Sequence, residues 1–114
     1  MRRRLRRAII GAARLLVSTH VLDTAAGAPA AGVEVTISRS DDGQEWTRVV
    51  TRVTGASGRV EGVEVPGAGW VRLSFATAGE FFGDIVVTFA AGDRERAHVP
   101  LLLAPFGYST YLGT

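Results

Sequence analysis

The sequence predicts an all-β protein, a two-sheet antiparallel sandwich of about eight strands. Apolar and polar residues alternate with a period of two through most of residues 15–114. Glycine, proline and aspartate interrupt this pattern at short intervals, as expected for strands joined by turns. No internal segment carries the apolar stripe of an amphipathic helix.

The first half of the chain predicts four strands. Val33, Val35 and Ile37 alternate with polar residues, which is typical of a strand with one buried face. The run Asp41-Asp42-Gly43 then turns the chain. The four predicted strands cover residues 15–22, 33–38, 46–53 and 60–65.

The second half predicts four more strands. Val71, Leu73 and Phe75 alternate inward, and Ile85 begins a similar pattern. Turns that contain glycine or proline separate these segments. The four predicted strands cover residues 71–75, 85–89, 97–103 and 108–112.

Length and composition predict one domain with a single core, since the chain has 114 residues, 46% of them hydrophobic, and 14 glycines. The sequence contains no cysteine. Disulfides, a thiolate nucleophile and thiolate metal ligands are therefore excluded, and a reducing cytoplasm is the expected location.

The positive charge is concentrated at the N-terminus. Six of the 13 basic residues lie within residues 1–14, so residues 15–114 carry seven basic residues against 11 acidic ones, a net charge of −4. Such a body repels phosphate, which argues against a nucleic-acid partner. Arg14 interrupts the apolar stretch 8–13 before it reaches the length of a signal sequence, and no stretch approaches the ~18 apolar residues of a membrane span. We expect a flexible basic extension at 1–14 and a β-sandwich domain at 15–114.

Two motifs place the only two histidines within strand-like segments. The first reads Ser18-Thr19-His20-Val21-Leu22-Asp23-Thr24, and the second runs from His98-Val99-Pro100 to Tyr111-Leu112-Gly113-Thr114. Together they resemble the 5-hydroxyisourate hydrolases, the urate-pathway branch of the transthyretin-like family. The family signatures read S-T-H-V-L-D-T and H-V-P-L-L-L-S-P-x-x-Y-S-T-Y-R-G-S. The first is matched fully, the second with substitutions.

The resemblance implies a transthyretin-like sandwich that assembles as a homotetramer, a dimer of dimers with pockets completed across the interface. The tail strand, with Tyr108, Tyr111 and Leu112, suits burial in such an interface. The family has a short helix between its fifth and sixth strands. Residues 75–85 are too few to hold it, so we predict that a tight loop replaces the helix.

The resemblance also implies a reaction and its catalytic residues, His20, Arg59 and His98. The family adds water to a strained ring amide of 5-hydroxyisourate, without cofactor or metal. One histidine would activate water, since an imidazole with a pKa of ~6.5 suits proton transfer near neutral pH, and the other would hold or protonate the departing nitrogen. The sequence does not assign these two roles. Arg59 matches the arginine of the family's D-G-R turn, which binds a substrate oxygen and stabilises its negative charge.

The C-terminal residues Tyr111, Leu112 and Thr114 occupy the positions of the family's substrate-binding Y-R-G-S. Leu112 replaces an arginine whose donors suit ring carbonyls. Loss of a charged hydrogen bond costs about 1.5–3 kcal/mol, enough to change substrate preference.

Other functions remain open on the sequence alone. The same fold and histidine pair would also suit a hydrolase or cyclase acting on a different cyclic substrate in a specialised pathway, or a transthyretin-like protein that binds a small ligand. A serine nucleophile, Ser18 or Ser109 with His98, lacks the G-x-S-x-G context. A zinc site that uses the histidines and Asp23 lacks the usual ligand spacing.

Overall fold

The computed structural model describes residues 14–114, and within this range it contains ten strands and no helix. The strands form one six-stranded and one four-stranded sheet, which confirms the predicted all-β sandwich. The strands are β1 (Arg14–Asp23), β2 (Ala28–Pro29), β3 (Glu34–Ser40), β4 (Thr47–Val53), β5 (Arg59–Pro66), β6 (Trp70–Ala76), β7 (Asp84–Ala90), β8 (Arg96–His98), β9 (Leu101–Ala104) and β10 (Gly107–Thr110).

The six-stranded sheet is built around β1, and the four-stranded sheet has the order β4-β3-β6-β7. β5 and β8 pair with the first part of β1, whereas β2 and β9 pair with its end and β10 pairs with β9. The pairs of β1 with β8 and β9 are parallel, and all other pairs are antiparallel. Hydrophobic alternation does not report strand direction, so the sequence did not reveal these parallel pairs.

The core lies between the sheets and follows the period-two pattern. On β1, the side chains of Leu15, Val17 and Val21 are fully buried, and Phe75 of β6 is the largest fully buried side chain. Burial of one such side chain contributes about 1.5–3 kcal/mol. Because successive residues of a strand point to opposite faces, the alternate residues Leu16, Ser18 and His20 lie on the outer face of the sheet.

The structure has more strands than the sequence predicted, for two reasons. β2 is a two-residue strand, and the predicted strand 97–103 is divided into β8 and β9 at Val99-Pro100. Pro100 has no amide hydrogen for a ladder. The connection stays attached to β1, because the Val99 amide donates to the Ser18 carbonyl at 2.9 Å and the Thr19 hydroxyl donates to the Val99 carbonyl at 2.5 Å.

A short loop joins β6 to β7, as predicted from the length of this segment. The Thr77 hydroxyl donates to the Gly83 carbonyl across the loop, and the Gly79 amide donates to the Phe82 carbonyl at 2.9 Å. These bonds close the connection without a helical turn.

The predicted basic extension over 1–14 lies outside the described residues, apart from Arg14, the first residue of β1. Within the described part of the chain, no helix has the length and apolar character needed to cross a membrane.

Gly58 lies in the turn before β5, where its backbone packs closely against β1. Its φ is +75°, and a Cβ atom there would lie 2.4 Å from the Val21 carbonyl oxygen. We expect Gly58→Ala to lower the free energy of unfolding by about 2 kcal/mol or more, since it adds a backbone clash to left-handed strain. Urea or thermal denaturation measures the loss.

Gly27→Ala is the matched control, because Gly27 has a φ of +67° and a Cβ there would meet nothing within 4 Å. Strain alone predicts a loss of about 1–2 kcal/mol. Equal losses of unfolding free energy in the two variants would show that the close approach of Gly58 to β1 does not contribute to stability.

Candidate active site

A groove of about 630 Å³ lies on the outer face of the six-stranded sheet. Three strands, β5, β1 and β8, and the C-terminal tail line it. Its volume is within the range of small-molecule sites. The lining residues are Leu16, Val17, Ser18, Arg59, Glu61, Gly62, Arg96, His98, Gly113 and Thr114.

Strand register brings the predicted catalytic residues to this face. Ser18 of β1 pairs with His98 of β8, and His20 pairs with Arg59 at the start of β5. Ser18 and His20 are two residues apart, so their side chains point the same way. The two histidines, distant in sequence, therefore occupy one side of the sheet together with Arg59.

A β-bulge in β5 lets this strand direct valines into the core and charged side chains into the groove. The register between β1 and β5 shifts between Val17 and Thr19, opposite the segment that contains Gly62, whose φ is +67°. The extra residue allows Val60 and Val63, three positions apart, both to be buried. Arg59 and Glu61, which precede the shift, both line the groove.

Two contacts fix His98, one from Ser18 to its ring and one from the C-terminal tail to its backbone. Ser18 Oγ lies 2.8 Å from His98 Nδ1. The Gly113 amide donates to the His98 carbonyl at 2.7 Å, and a Cβ on Gly113 would lie 2.8 Å from His98 Cδ2. Only a residue without a side chain fits here undisturbed. His98 Nε2 makes no hydrogen bond within residues 14–114 and is available to a molecule in the groove.

The pKa of His98 is lowered from its usual value of 6.5. Partial burial is the largest cause, followed by the positive charge of Arg59 and then by His20. Glu61 acts in the opposite direction. The imidazole of His98 is therefore neutral over part of the pH range in which a free imidazole is charged, and a neutral imidazole has the lone pair that a general base needs.

His20 is fixed in a different way. Its Nε2 lies 2.8 Å from the Ser57 carbonyl oxygen. A carbonyl only accepts, so neutral His20 carries its proton on Nε2 and its lone pair on Nδ1. His20 is not among the residues that line the groove, but it lies next to the groove on β1.

The charges of the groove come from Arg59, Arg96 and Glu61. Arg59 Nη1 is 3.5 Å from Glu61 Oε1, and both side chains are well exposed. An exposed ion pair of this kind contributes little, so the guanidinium is free to bind a ligand. The two guanidinium groups supply positive charge and hydrogen-bond donors that suit electron-rich carbonyls or anions.

The C-terminal residues predicted to bind substrate divide between two places. Thr114 lines the groove, whereas Tyr111 and Leu112 line a second, smaller groove of about 270 Å³ together with Val87 and Phe89. Tyr111 and Leu112 are 57% and 59% exposed in this single chain. The structure thus brings His98, Arg59 and Thr114 together but places the side chains of Tyr111 and Leu112 elsewhere.

Sequence reasoning did not place Glu61, Arg96 and Gly113 in the groove, and it considered Ser18 with His98 only as a nucleophile. The sequence does indicate the position of Ser18, because Ser18 lies two residues before His20 in a predicted strand and so shares its face. Within residues 14–114, no group of three or more histidine, aspartate or glutamate side chains is placed to hold a metal ion.

The sandwich topology and the histidine-lined outer face define a protein of the transthyretin-like class. The family model described as HIUase/Transthyretin family matches residues 17–113, and the chain belongs to this family. The resemblance inferred from the two histidine motifs is thereby confirmed.

Known proteins of both branches of the family are similar to the chain. The 5-hydroxyisourate hydrolase of Mesorhizobium japonicum is 37% identical over 86% of this chain and 91% of its own length. The structure of Klebsiella pneumoniae 5-hydroxyisourate hydrolase superposes with a TM-score of 0.75 at 32% identity, covering 87% of this chain and 98% of that one. The structure of sea bream transthyretin in complex with thyroxine superposes with a TM-score of 0.76 at 27% identity, covering 86% of this chain and 94% of that one.

The contact between Gly113 and His98 makes a prediction about the ring. Gly113→Ala places a methyl group 2.8 Å from His98 Cδ2, so either the ring or the tail must move. We expect the ring signals of His98 to shift in a ¹H–¹³C NMR spectrum. Gly107→Ala is the control, because a Cβ there would meet nothing within 4 Å. Identical His98 signals in all three proteins would contradict the close packing of the tail on this ring.

Proposed function

We propose that the chain is a hydrolase that opens the ring amide of 5-hydroxyisourate with water activated by a histidine. The observation that carries the proposal is the placement of His98 and Arg59 in one groove, with His20 beside it. The similarity to hydrolases of that name supports the substrate. Retention of both histidines and Arg59 favours hydrolysis over the binding of a small ligand alone.

The chemistry needs a base, a site for negative charge and a proton for the departing nitrogen. A neutral imidazole takes a proton from water as the water oxygen bonds to the amide carbon and the carbonyl electron pair moves to oxygen. The guanidinium of Arg59 stabilises the resulting oxyanion. When the carbonyl forms again, the carbon–nitrogen bond breaks and the nitrogen takes up a proton. Water and side chains suffice, so we propose that no cofactor takes part.

The groove offers groups that suit a small ring with several carbonyls. Arg59 and Arg96 supply donors, and Thr114 supplies a hydroxyl. We propose that Thr114 contacts the substrate directly. Since Tyr111 and Leu112 lie outside this groove in a single chain, we propose that they reach substrate only in an assembled oligomer.

A homotetramer is the proposed assembly. β7 and β10 end the two sheets and leave strand edges unpaired within the described chain. Near them, Phe81 and Phe106 are 67% and 71% exposed, with ring centroids 6.1 Å apart. Exposed aromatic side chains beside free strand edges are typical of a protein interface. We also propose a cytoplasmic location, which the absence of cysteine supports.

Catalysis is tested with freshly prepared 5-hydroxyisourate, whose spontaneous decay is compared with and without protein by stopped flow. We expect acceleration by the protein, and a fall in kcat of about 10²–10⁴-fold in His98→Ala, since removal of a general base costs this much. Ser74→Ala, on the four-stranded sheet, is the control and should keep full activity. The hypothesis fails if the unchanged protein does not accelerate the decay, or if His98→Ala is as active.

The fall of kcat/KM at low pH, the acid limb of the pH profile, tests the electrostatics of the groove. Because the pKa of His98 is lowered, kcat/KM should stay high below pH 6.5 and fall only as the pH passes through that lower pKa. Arg59→Gln removes a positive charge that disfavours the imidazolium, so the limb should move to higher pH, in addition to a lower maximum rate. A limb that moves to lower pH in this variant would contradict the assignment of His98 to the limb.

A further inference from the structure

The hydrogen bond between Ser18 Oγ and His98 Nδ1 has a function that the catalytic proposal does not use. At 2.8 Å it is the only hydrogen bond to the His98 ring from residues 14–114. The backbone of Ser18 is fixed by the Val99 amide, which donates to its carbonyl at 2.9 Å, and by its chain neighbours Val17 and Thr19, which pair with β5. The hydroxyl is therefore held beside the imidazole.

A neutral imidazole has one N–H group, so this contact admits two arrangements. If Nδ1 carries the proton, it donates to the hydroxyl, and Nε2 presents a lone pair to the groove. If Nε2 carries the proton, the hydroxyl donates to Nδ1, and the lone pair is engaged by serine. Only the first arrangement lets His98 take a proton from a water molecule in the groove.

A hydroxyl acceptor also suits the next step. When Nε2 takes up a proton, both ring nitrogens become donors, and Nδ1–H still has Ser18 as its acceptor. No hydrogen bond needs to be exchanged during proton transfer. His20 differs, because its Nε2–H is engaged by the Ser57 carbonyl and its ring does not line the groove.

We propose that Ser18 is a positioning residue whose hydroxyl accepts the Nδ1–H of His98, so that Nε2 of His98 is the base that activates water. The inference rests on the proposed hydrolysis and assigns its proton transfers. The water proton goes to Nε2 as the oxygen bonds to the amide carbon and the carbonyl pair moves to oxygen. When the carbonyl forms again, the carbon–nitrogen bond breaks, and Nε2–H returns that proton to the nitrogen.

The charged groups around His98 act at longer range and do not replace this bond. Arg59 and Glu61 face the ring from β5, His20 lies beside it on β1, and Arg96 precedes it on β8. None of them makes a hydrogen bond to the ring within the described residues. Loss of the Ser18 hydroxyl should therefore change the tautomer of His98 while the surrounding charges stay the same.

The same pair of atoms would suit a serine nucleophile, with His98 as its base. In that case Ser18 would form an acyl-enzyme with the amide carbon, and its removal would leave only the uncatalysed rate. The positioning role predicts a smaller loss and no covalent intermediate. The two alternatives therefore differ in measurable ways.

Nitrogen NMR of the imidazoles tests the positioning role without any substrate. In the unchanged protein we expect the Nδ1–H form of His98, and in Ser18→Ala a shift towards the Nε2–H form. The measured pKa of His98 should fall further by up to about one, because the imidazolium loses an acceptor. Ser18→Thr keeps the hydroxyl and should restore both signals, and Ser109→Ala on β10 should leave them unchanged. A rise in the pKa in Ser18→Ala would overturn the inference, since it would show that serine donates.

Kinetics provide the second measurement. Ser18→Ala should lower kcat about tenfold with little change in KM and move the acid limb to lower pH. An unchanged kcat, or an acyl-serine found by mass spectrometry in the unchanged protein, would overturn the positioning role. If the protein did not hydrolyse 5-hydroxyisourate, the substrate proposal would fail. The NMR titration would still decide the tautomer.

Discussion

The parallel pairing of β1 with β8 is the interaction on which the site depends. It places Ser18 beside His98, while the other edge of β1 places His20 beside Arg59. A slip of one residue in either pairing would reverse the alternation and turn a groove side chain into the core. An imidazole or guanidinium there would lose hydration without gaining a partner, which costs several kcal/mol. Burial of the inner face of β1 therefore fixes the geometry of the outer face.

The turn before β5 connects this register to two of the predicted catalytic side chains, His20 and Arg59. Gly58 approaches β1 so closely that its carbonyl accepts from the Val21 amide at 2.7 Å. Directly before it, the Ser57 carbonyl accepts from His20, and directly after it Arg59 begins β5. A single left-handed glycine thus sets both the tautomer of one histidine and the starting point of the arginine strand.

The features that the sequence predicted are those that local chemistry controls. Alternation located the inner residues of β1, β3 and β6, and the length of segment 75–85 excluded the helix. Two histidine motifs indicated the family. The features that it did not predict depend on distant contacts. Strand direction and the bulge at Gly62 arise from pairing partners, which a period of two does not identify. The division at Pro100 is the exception, because it follows from the missing amide hydrogen of that residue.

In the candidate site too, local motifs predicted some residues, while the positions of others depend on distant contacts. The family motifs indicated His20, Arg59 and His98, but the position of Leu112 depends on the path of the tail. After β10 the tail turns to pair Gly113 with His98, which brings Thr114 to the groove and leaves Leu112 beside Phe89. A motif read along the chain assigns these neighbours to one site, whereas the folded backbone separates them.

The effect of Arg59 on the basicity of His98 changes when a substrate carbonyl is attacked. Partial burial and, after it, Arg59 lower the pKa of His98, which favours a neutral but weaker base before substrate is attacked. In the proposed hydrolysis, negative charge develops on the carbonyl oxygen beside Arg59 as His98 becomes positive. That negative charge offsets the repulsion between the two cations, so the imidazole becomes a stronger base as the transition state forms. The same guanidinium therefore adds to the effect of burial in disfavouring the imidazolium of His98 before the reaction and ceases to oppose its formation during the reaction, an interaction that favours the transition state over the ground state.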